Sequence, residues 1–320
     1  MTAKRNDFDP QIYNPQFQWV FLSPKYWGTW LGLLVGVVIS LLPHAVHKAI
    51  ANFLAHFIVK VKGGSVKRAR INLLLCFPEK SETEREDILK KQFTVAICYL
   101  LNFPSVTLRS KNWLARNVEL IGDKHLLQNT SQNTILLVPH TWCIDIPAIY
   151  LASTGLPVTG FVKTQSNALS DWLMHKQRVQ YGGKIYERSQ GIKPYIKAIR
   201  DGYLGYYLPD EDLGEKNSVF VNFFGTQKAT MAGLDKFVRL GKARVVPLFS
   251  VINMETGKFE IHIAPEVTLT GDETKDARTL NAYIENCVGN QPEQYMWILK
   301  LLKTQPPGIE EPYVSDQYKF

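Results

Sequence analysis

The chain has 320 residues, 45% of them hydrophobic and 21% charged, which suits one large domain plus an appendage. Its formal net charge of +8 narrows the partners to nucleic acid, an anionic membrane surface, or an acidic protein or lipid. The four cysteines, at 76, 98, 143 and 287, have neither CxxC nor zinc spacing, which fits a reducing compartment and excludes a disulfide framework.

Residues 1–25 are polar and do not have the short basic start of a cleavable signal. Tyr26 to Leu42 is an uncharged run of about 17 residues, the low end for a membrane-spanning helix. Trp27 and Trp30 mark an interfacial belt at its start. Gly28, Gly32 and Gly36 fall on one face, where a second helix could approach. Lys48, Lys60, Lys62, Lys67, Arg68 and Arg70 follow, with no acid between Pro43 and Arg70. The positive-inside rule puts that side in the cytoplasm. A buried core helix is the alternative. Residues 44–62 alternate apolar and basic character at helical spacing, as a surface-lying amphipathic helix would. Ser81 with Glu84 is a capping box, so a helix starts near residue 82 and runs through Leu101. Residues 43–116 are thus a basic amphipathic and helical region.

From residue 117 strand and helix signals alternate, which argues for an α/β domain with a mostly parallel sheet over 117–305. The predicted strands are 117–121, 134–139, 157–163, 184–187, 204–208, 243–250 and 259–264. The predicted helices are 144–153, 167–179, 192–200, 229–240, 276–288 and 294–302. Residues 306–320 read as a loose tail.

The predicted strand 134–139 ends at Pro139, and His140 follows at once, where α/β folds place their chemistry. Asp145 comes five positions later. On one regular helix the two would point roughly 140° apart. They can meet only if His140 precedes a helix that has Asp145 in its first turn. An imidazole held by a carboxylate is a general base in the correct tautomer. The plainer alternative is a loop histidine with no chemistry. Cys143, inside the same motif, is either a nucleophile or a buried inert thiol.

Gly183 and Arg188 form Gly-x4-Arg, with Arg188 at the end of strand 184–187. The guanidinium fork suits a phosphate or a developing oxyanion; a solvated surface arginine is the alternative. Pro209-Asp210-Glu211-Asp212 is an acidic turn whose carboxylates can hold Arg188, a metal or a cation, or simply be solvated. Phe223 and Phe224 lie in an apolar run that suits an acyl chain or an ordinary core. There is no Gly-x-Ser-x-Gly elbow, Walker loop, zinc-protease motif or Rossmann glycine triplet.

With those residues in place, the chain resembles the late acyltransferases of lipid A biosynthesis, most closely the myristoyltransferase type, within the lysophospholipid acyltransferase superfamily. The resemblance runs from about Ser23 to Pro312. It is carried by Pro24-Lys25-Tyr26-Trp27-Gly28, Arg70-Ile71-Asn72-Leu73, Cys76-Phe77-Pro78-Glu79, Val138-Pro139-His140, Gly205-Tyr206-Tyr207-Leu208-Pro209-Asp210, Arg244-Val245-Val246-Pro247 and Pro292-Glu293-Gln294-Tyr295. It implies a glycerol-3-phosphate acyltransferase-like fold with an N-terminal transmembrane helix. It implies transfer of lauroyl or myristoyl from acyl carrier protein to a hydroxyacyl chain of a phosphorylated, Kdo-bearing lipid A precursor. The enzyme would sit at the bacterial inner membrane with its catalytic domain in the cytoplasm. His140 would be the base, Asp145 its orienter and Arg188 the oxyanion or phosphate contact. Gly183, Asp210, Asp212, Phe223 and Phe224 would contact substrate. No cofactor, metal or nucleic acid is implied, and slow thioesterase activity is expected. A glycerophospholipid acyltransferase and a membrane-anchored basic adaptor remain the alternatives.

Overall fold

Among the described residues, seven of nine strands form one sheet, in which five parallel strands stand side by side. A computed structural model describes residues 9–128 and 131–318. Residues 1–8 of the expected polar segment and 319–320 of the expected tail lie outside the described residues. The sheet contains β1 (Val118–Gly122), β2 (Asn133–Leu137), β3 (Val158–Val162), β4 (Lys184–Glu187), β5 (Leu204–Tyr207), β8 (Ala243–Ile252) and β9 (Phe259–Ile263). Their spatial order is β1-β9-β8-β2-β5-β3-β4. All neighbours are parallel except β8 with β9. The expected mostly parallel α/β architecture is therefore present.

The β2 run is apolar without interruption because both of its faces are covered. Leu136 and Val138 pack on one side with α4 (Glu82–Leu108) and α7 (Asp145–Ser153). Ile135 and Leu137 pack on the other with α9 (Lys193–Arg200). α4 starts in the predicted capping box: the Glu84 amide donates to the Ser81 hydroxyl at 3.3 Å and the Ser81 amide donates back to the Glu84 carboxylate at 2.8 Å.

Three expectations are corrected here. First, the apolar run does not form a membrane-spanning helix. α1 covers Trp27–Ser40, 14 residues, or about 21 Å at the standard rise. A bilayer's hydrocarbon core is about 30 Å thick. Pro43 disfavours helix at the residue before it, and the chain turns into α2 (His44–Ile58). Among the described residues no helix is long and apolar enough to cross a membrane. Of the glycine stripe only Gly36 meets a neighbour, since its added Cβ would lie 3.7 Å from Pro104 of α4. Both short helices leave apolar side chains outside. Trp27, Leu31 and Leu34 are 62%, 63% and 61% exposed, and Phe53 of α2 is 64% exposed.

Second, residues 218–231 form a hairpin, β6 (Ser218–Phe223) with β7 (Thr226–Met231), where the start of a helix was expected at 229. The helix, α10, begins at Leu234. Third, residues 295–302 are not helical, where a helix was expected over 294–302. A 3-10 turn at Pro292–Gln294 ends there, and the following backbone bonds to the His140 loop instead. Tertiary partners override local propensity at both places. The tail is also tied down: the Tyr313 hydroxyl donates to Asn72 Oδ1 at 2.6 Å and accepts from the Leu302 amide at 2.9 Å.

Candidate active site

Strand register builds the centre of the site. Leu137 of β2 is paired with Tyr207 of β5 in parallel. Three residues further along each strand lie His140 and Asp210, which meet above the same sheet edge. His140 Nδ1 is 2.6 Å from Asp210 Oδ1, and the His140 amide donates to Asp210 Oδ2 at 2.7 Å. The Tyr295 hydroxyl donates to the same Oδ2 at 2.7 Å. Asp210 is fully buried. The orienting carboxylate is thus Asp210, not Asp145 as the sequence spacing suggested.

Burial alone pushes the His140 imidazole down, but the charge and hydrogen bond of Asp210 outweigh it, and the net shift is upward. Burial likewise opposes charge on Asp210, yet His140 and the donors on its oxygens hold the carboxyl below its ordinary value. The network assigns the proton to Nδ1, which donates to the carboxylate. Nε2 is then the nitrogen left to accept a proton.

His140 lines a cleft of about 400 Å³ that also holds Asp145, Gly183 and Arg188. Sequence reasoning therefore brought four of its eight site residues to one cavity. Asp145 is in the first turn of α7, as expected, but its partner is Arg178 of α8 (Ala168–Arg178). Arg178 Nε donates to one carboxylate oxygen at 2.8 Å and Nη2 to the other at 3.2 Å. That two-pronged pair lines the same cleft as His140 and offers it a second fixed charge arrangement. Arg178 carried no signal in the sequence. Arg188, at the end of β4, is bound by Glu211, one of the acids of the 209–212 turn. Gly183 has φ of +129°, and a Cβ there would come within 2.9 Å of the Val158 carbonyl oxygen, so only glycine fits the turn into β4.

The other four contact residues stand apart from the cleft lining. Asp210 sits beneath His140. Asp212 accepts from the Thr304 amide at 2.6 Å and the Thr304 hydroxyl at 2.7 Å, which gives it a loop-holding position. Phe223 is fully buried, and Phe224 packs on Phe77 and Trp297, with ring centres 4.8 and 5.8 Å away. Their cluster is core. The cleft's apolar wall comes instead from Tyr99, Leu100, Phe103, Trp142 and Met296. Cys143 is fully buried, and burial pushes its thiol well above the ordinary range, so it is no thiolate at neutral pH.

The arrangement can remove a proton from a hydroxyl at Nε2, stabilise the resulting imidazolium, and present cations at the rim of an apolar cleft. The chain is also similar to known acyltransferases. A family model described as bacterial lipid A biosynthesis acyltransferase matches residues 14–304. A lipid A biosynthesis acyltransferase of Haemophilus influenzae is 41% identical over 298 residues, 92% of this chain and 94% of the relative. A lipid A biosynthesis myristoyltransferase of Escherichia coli is 38% identical over 317 residues, 98% of this chain and 97% of the relative. A lipid A biosynthesis lauroyltransferase of the same organism is 30% identical over 304 residues, 93% of this chain and 99% of the relative.

Proposed function

Because the chain belongs to the bacterial lipid A biosynthesis acyltransferase family, we propose that it moves a lauroyl or myristoyl group from the thioester of acyl carrier protein to a hydroxyacyl chain of a phosphorylated, Kdo-bearing lipid A precursor. The observation that carries this reading is His140, held through Nδ1 by buried Asp210 at the wall of an apolar cleft. A lipid hydroxyl has a pKa far above neutrality and needs a base, whereas a thioester carbonyl needs only a nucleophile and a stabilised oxyanion. Nε2 of His140 takes the hydroxyl proton as the oxygen attacks the carbonyl carbon. The oxyanion faces the Arg188 guanidinium. Collapse breaks the C–S bond, and the imidazolium returns its proton to the leaving thiolate. An ester and a free thiol result. Both substrates are bound together, and no acyl-enzyme forms.

The exposed apolar faces of α1 and α2 support attachment to the surface of the inner membrane from the cytoplasmic side, in place of a crossing helix. The exposed Lys60 and Lys62 beyond α2 would meet anionic headgroups. When acceptor is absent, water at Nε2 would give slow thioester hydrolysis.

The test is the mass of lipid A from cells that have the protein, lack it, or carry His140→Ala. The protein should add one or two acyl units, and His140→Ala should add none. If lipid A mass is the same in all three while glycerophospholipid acylation changes, the acceptor is a glycerophospholipid.

A further inference from the structure

Asp210 can fix His140 only if its own carboxylate is fixed. One oxygen, Oδ1, is committed to the ring. The other, Oδ2, accepts from the His140 amide and from Tyr295, each at 2.7 Å. Tyr295 is fully buried, so water does not compete for its hydroxyl. Its ring sits edge-on to Trp297, with centroids 4.9 Å apart and planes at 74°. Its backbone is equally constrained. Residues 294–296 lie along the His140 loop: Thr141 and Tyr295 form an antiparallel bridge, the Trp142 amide donates to the Gln294 carbonyl at 3.1 Å, and the Met296 amide donates to the His140 carbonyl at 2.9 Å. Phenylalanine could supply the packing against Trp297. Of the two side chains, only tyrosine adds a second donor to Oδ2 beside the His140 amide.

We propose that Tyr295 is a positioning residue for the acyl transfer: its hydroxyl takes up part of the Asp210 charge and so sets how tightly Asp210 holds the proton on His140. The inference rests on the reading of His140 as the base. A carboxylate with fewer donors keeps more charge for its remaining partner. Without the phenol, the imidazolium would be held too tightly and less of the enzyme would carry the free base at a given pH. Of the other charged groups, Glu211 and Arg188 act on His140 from the turn after β5 and the end of β4. Lys228 of β7 is fully buried and feels the charges of Asp210 and Asp212 from the hairpin side. None of these is a hydrogen-bond donor to Oδ2.

The test uses the acid limb of the rate-pH profile, which reports deprotonation of the base. Tyr295→Phe should move that limb up by about half a pH unit or more. Replacing Tyr295 with 3,5-difluorotyrosine keeps the shape but makes the phenol a stronger donor, and should move the limb down. The fluorinated protein also serves if Tyr295→Phe fails to fold. A merely structural tyrosine would change the plateau rate or the melting temperature and leave the limb in place. An unmoved limb in the fluorinated enzyme overturns the proposal, whatever the plateau does. His140→Ala, run alongside, separates this from failure of the base assignment: activity retained in that variant removes His140 itself, not Tyr295 alone.

Discussion

Asp145 lies five residues from His140 in the chain, yet its carboxylate is gripped by Arg178, with Nε at 2.8 Å and Nη2 at 3.2 Å. The pair is mostly buried, with side chains 17% and 24% exposed. Removing either partner leaves an unpaired charge beside an apolar cleft. Asp145→Asn and Arg178→Met should each destabilise the fold by about 2 kcal/mol, a figure discounted for partial exposure. The double variant should cost less than the sum of the two. Chemical denaturation of the four proteins measures this coupling, and additive losses would show that the pair does not act as a unit.

The pH dependence follows from the His140–Asp210 contact. Burial lowers the imidazole's proton affinity, but Asp210 raises it further, so the folded-state pKa lies above the ordinary 6.5. A raised pKa stabilises the fold most below 6.5, and that contribution is lost as pH rises through the folded value. With His140 as the proposed base, activity should run the other way, because the imidazole accepts a proton only when deprotonated. The acid limb of the rate should therefore have its midpoint above 6.5 in the wild type. Asp210→Asn should bring that midpoint down and cost roughly 10²- to 10⁴-fold in kcat, since an amide cannot stabilise the imidazolium. A midpoint below 6.5 in the wild type would contradict the assignment of His140 as the titrating base.

All seven strands of the large sheet were legible, β2 and β8 as apolar runs buried almost throughout and β9 as an alternation of buried and half-buried residues. The hairpin at 218–231 was not, because Lys228 and Thr230 are polar yet buried, and their pattern does not read as a strand. His140, Arg188 and Gly183 were legible from their places at the ends of predicted strands. The His140–Asp210 pairing was not. The two residues are 70 apart in sequence, and only the register of β2 against β5 brings them together. Local spacing pointed to Asp145, the nearer carboxylate in the chain. Tyr295 was visible only as part of a matching segment, since nothing local says that its hydroxyl reaches Asp210. The length of α1 was misjudged because Leu41 and Leu42 continue the apolar run while Pro43 ends the helix.

Arg188→Lys should cost about 10²-fold in turnover, comparable to losing one oxyanion donor. Lysine keeps the charge but loses the planar fork that can engage Glu211 and a substrate oxygen together. Steady-state kinetics on purified enzyme measure this. An unchanged kcat would leave Arg188 as a surface partner of Glu211 and no more.

Cys143→Ala should keep near wild-type activity and lose about 1 kcal/mol of stability through the small cavity it leaves. The thiol is fully buried, and burial keeps it protonated. Mass spectrometry after incubation with acyl thioester should show no acylated Cys143. A dead variant together with an acylated wild-type cysteine would require a two-step cysteine mechanism.

Leu31→Glu with Leu34→Glu should release much of the protein from sedimenting anionic vesicles while leaving its melting temperature unchanged. Both leucines are more than half exposed, so the fold does not depend on them. Loss of binding with an intact fold supports a surface-lying α1. Undiminished sedimentation would shift the attachment to another face.

The strap formed by residues 294–304 is also the last part of the site to be made. Every strand of the large sheet has been synthesised by Ile263. The donor to Asp210 and the Thr304 groups that hold Asp212 come later. In the order of synthesis the strands therefore precede both the parts that anchor the acidic turn and the Tyr295 and Trp297 side chains that share a buried cluster with Phe249 and Val251 of β8. The base and the carboxylate that holds it are both made by residue 210, so they precede the tyrosine that tunes them.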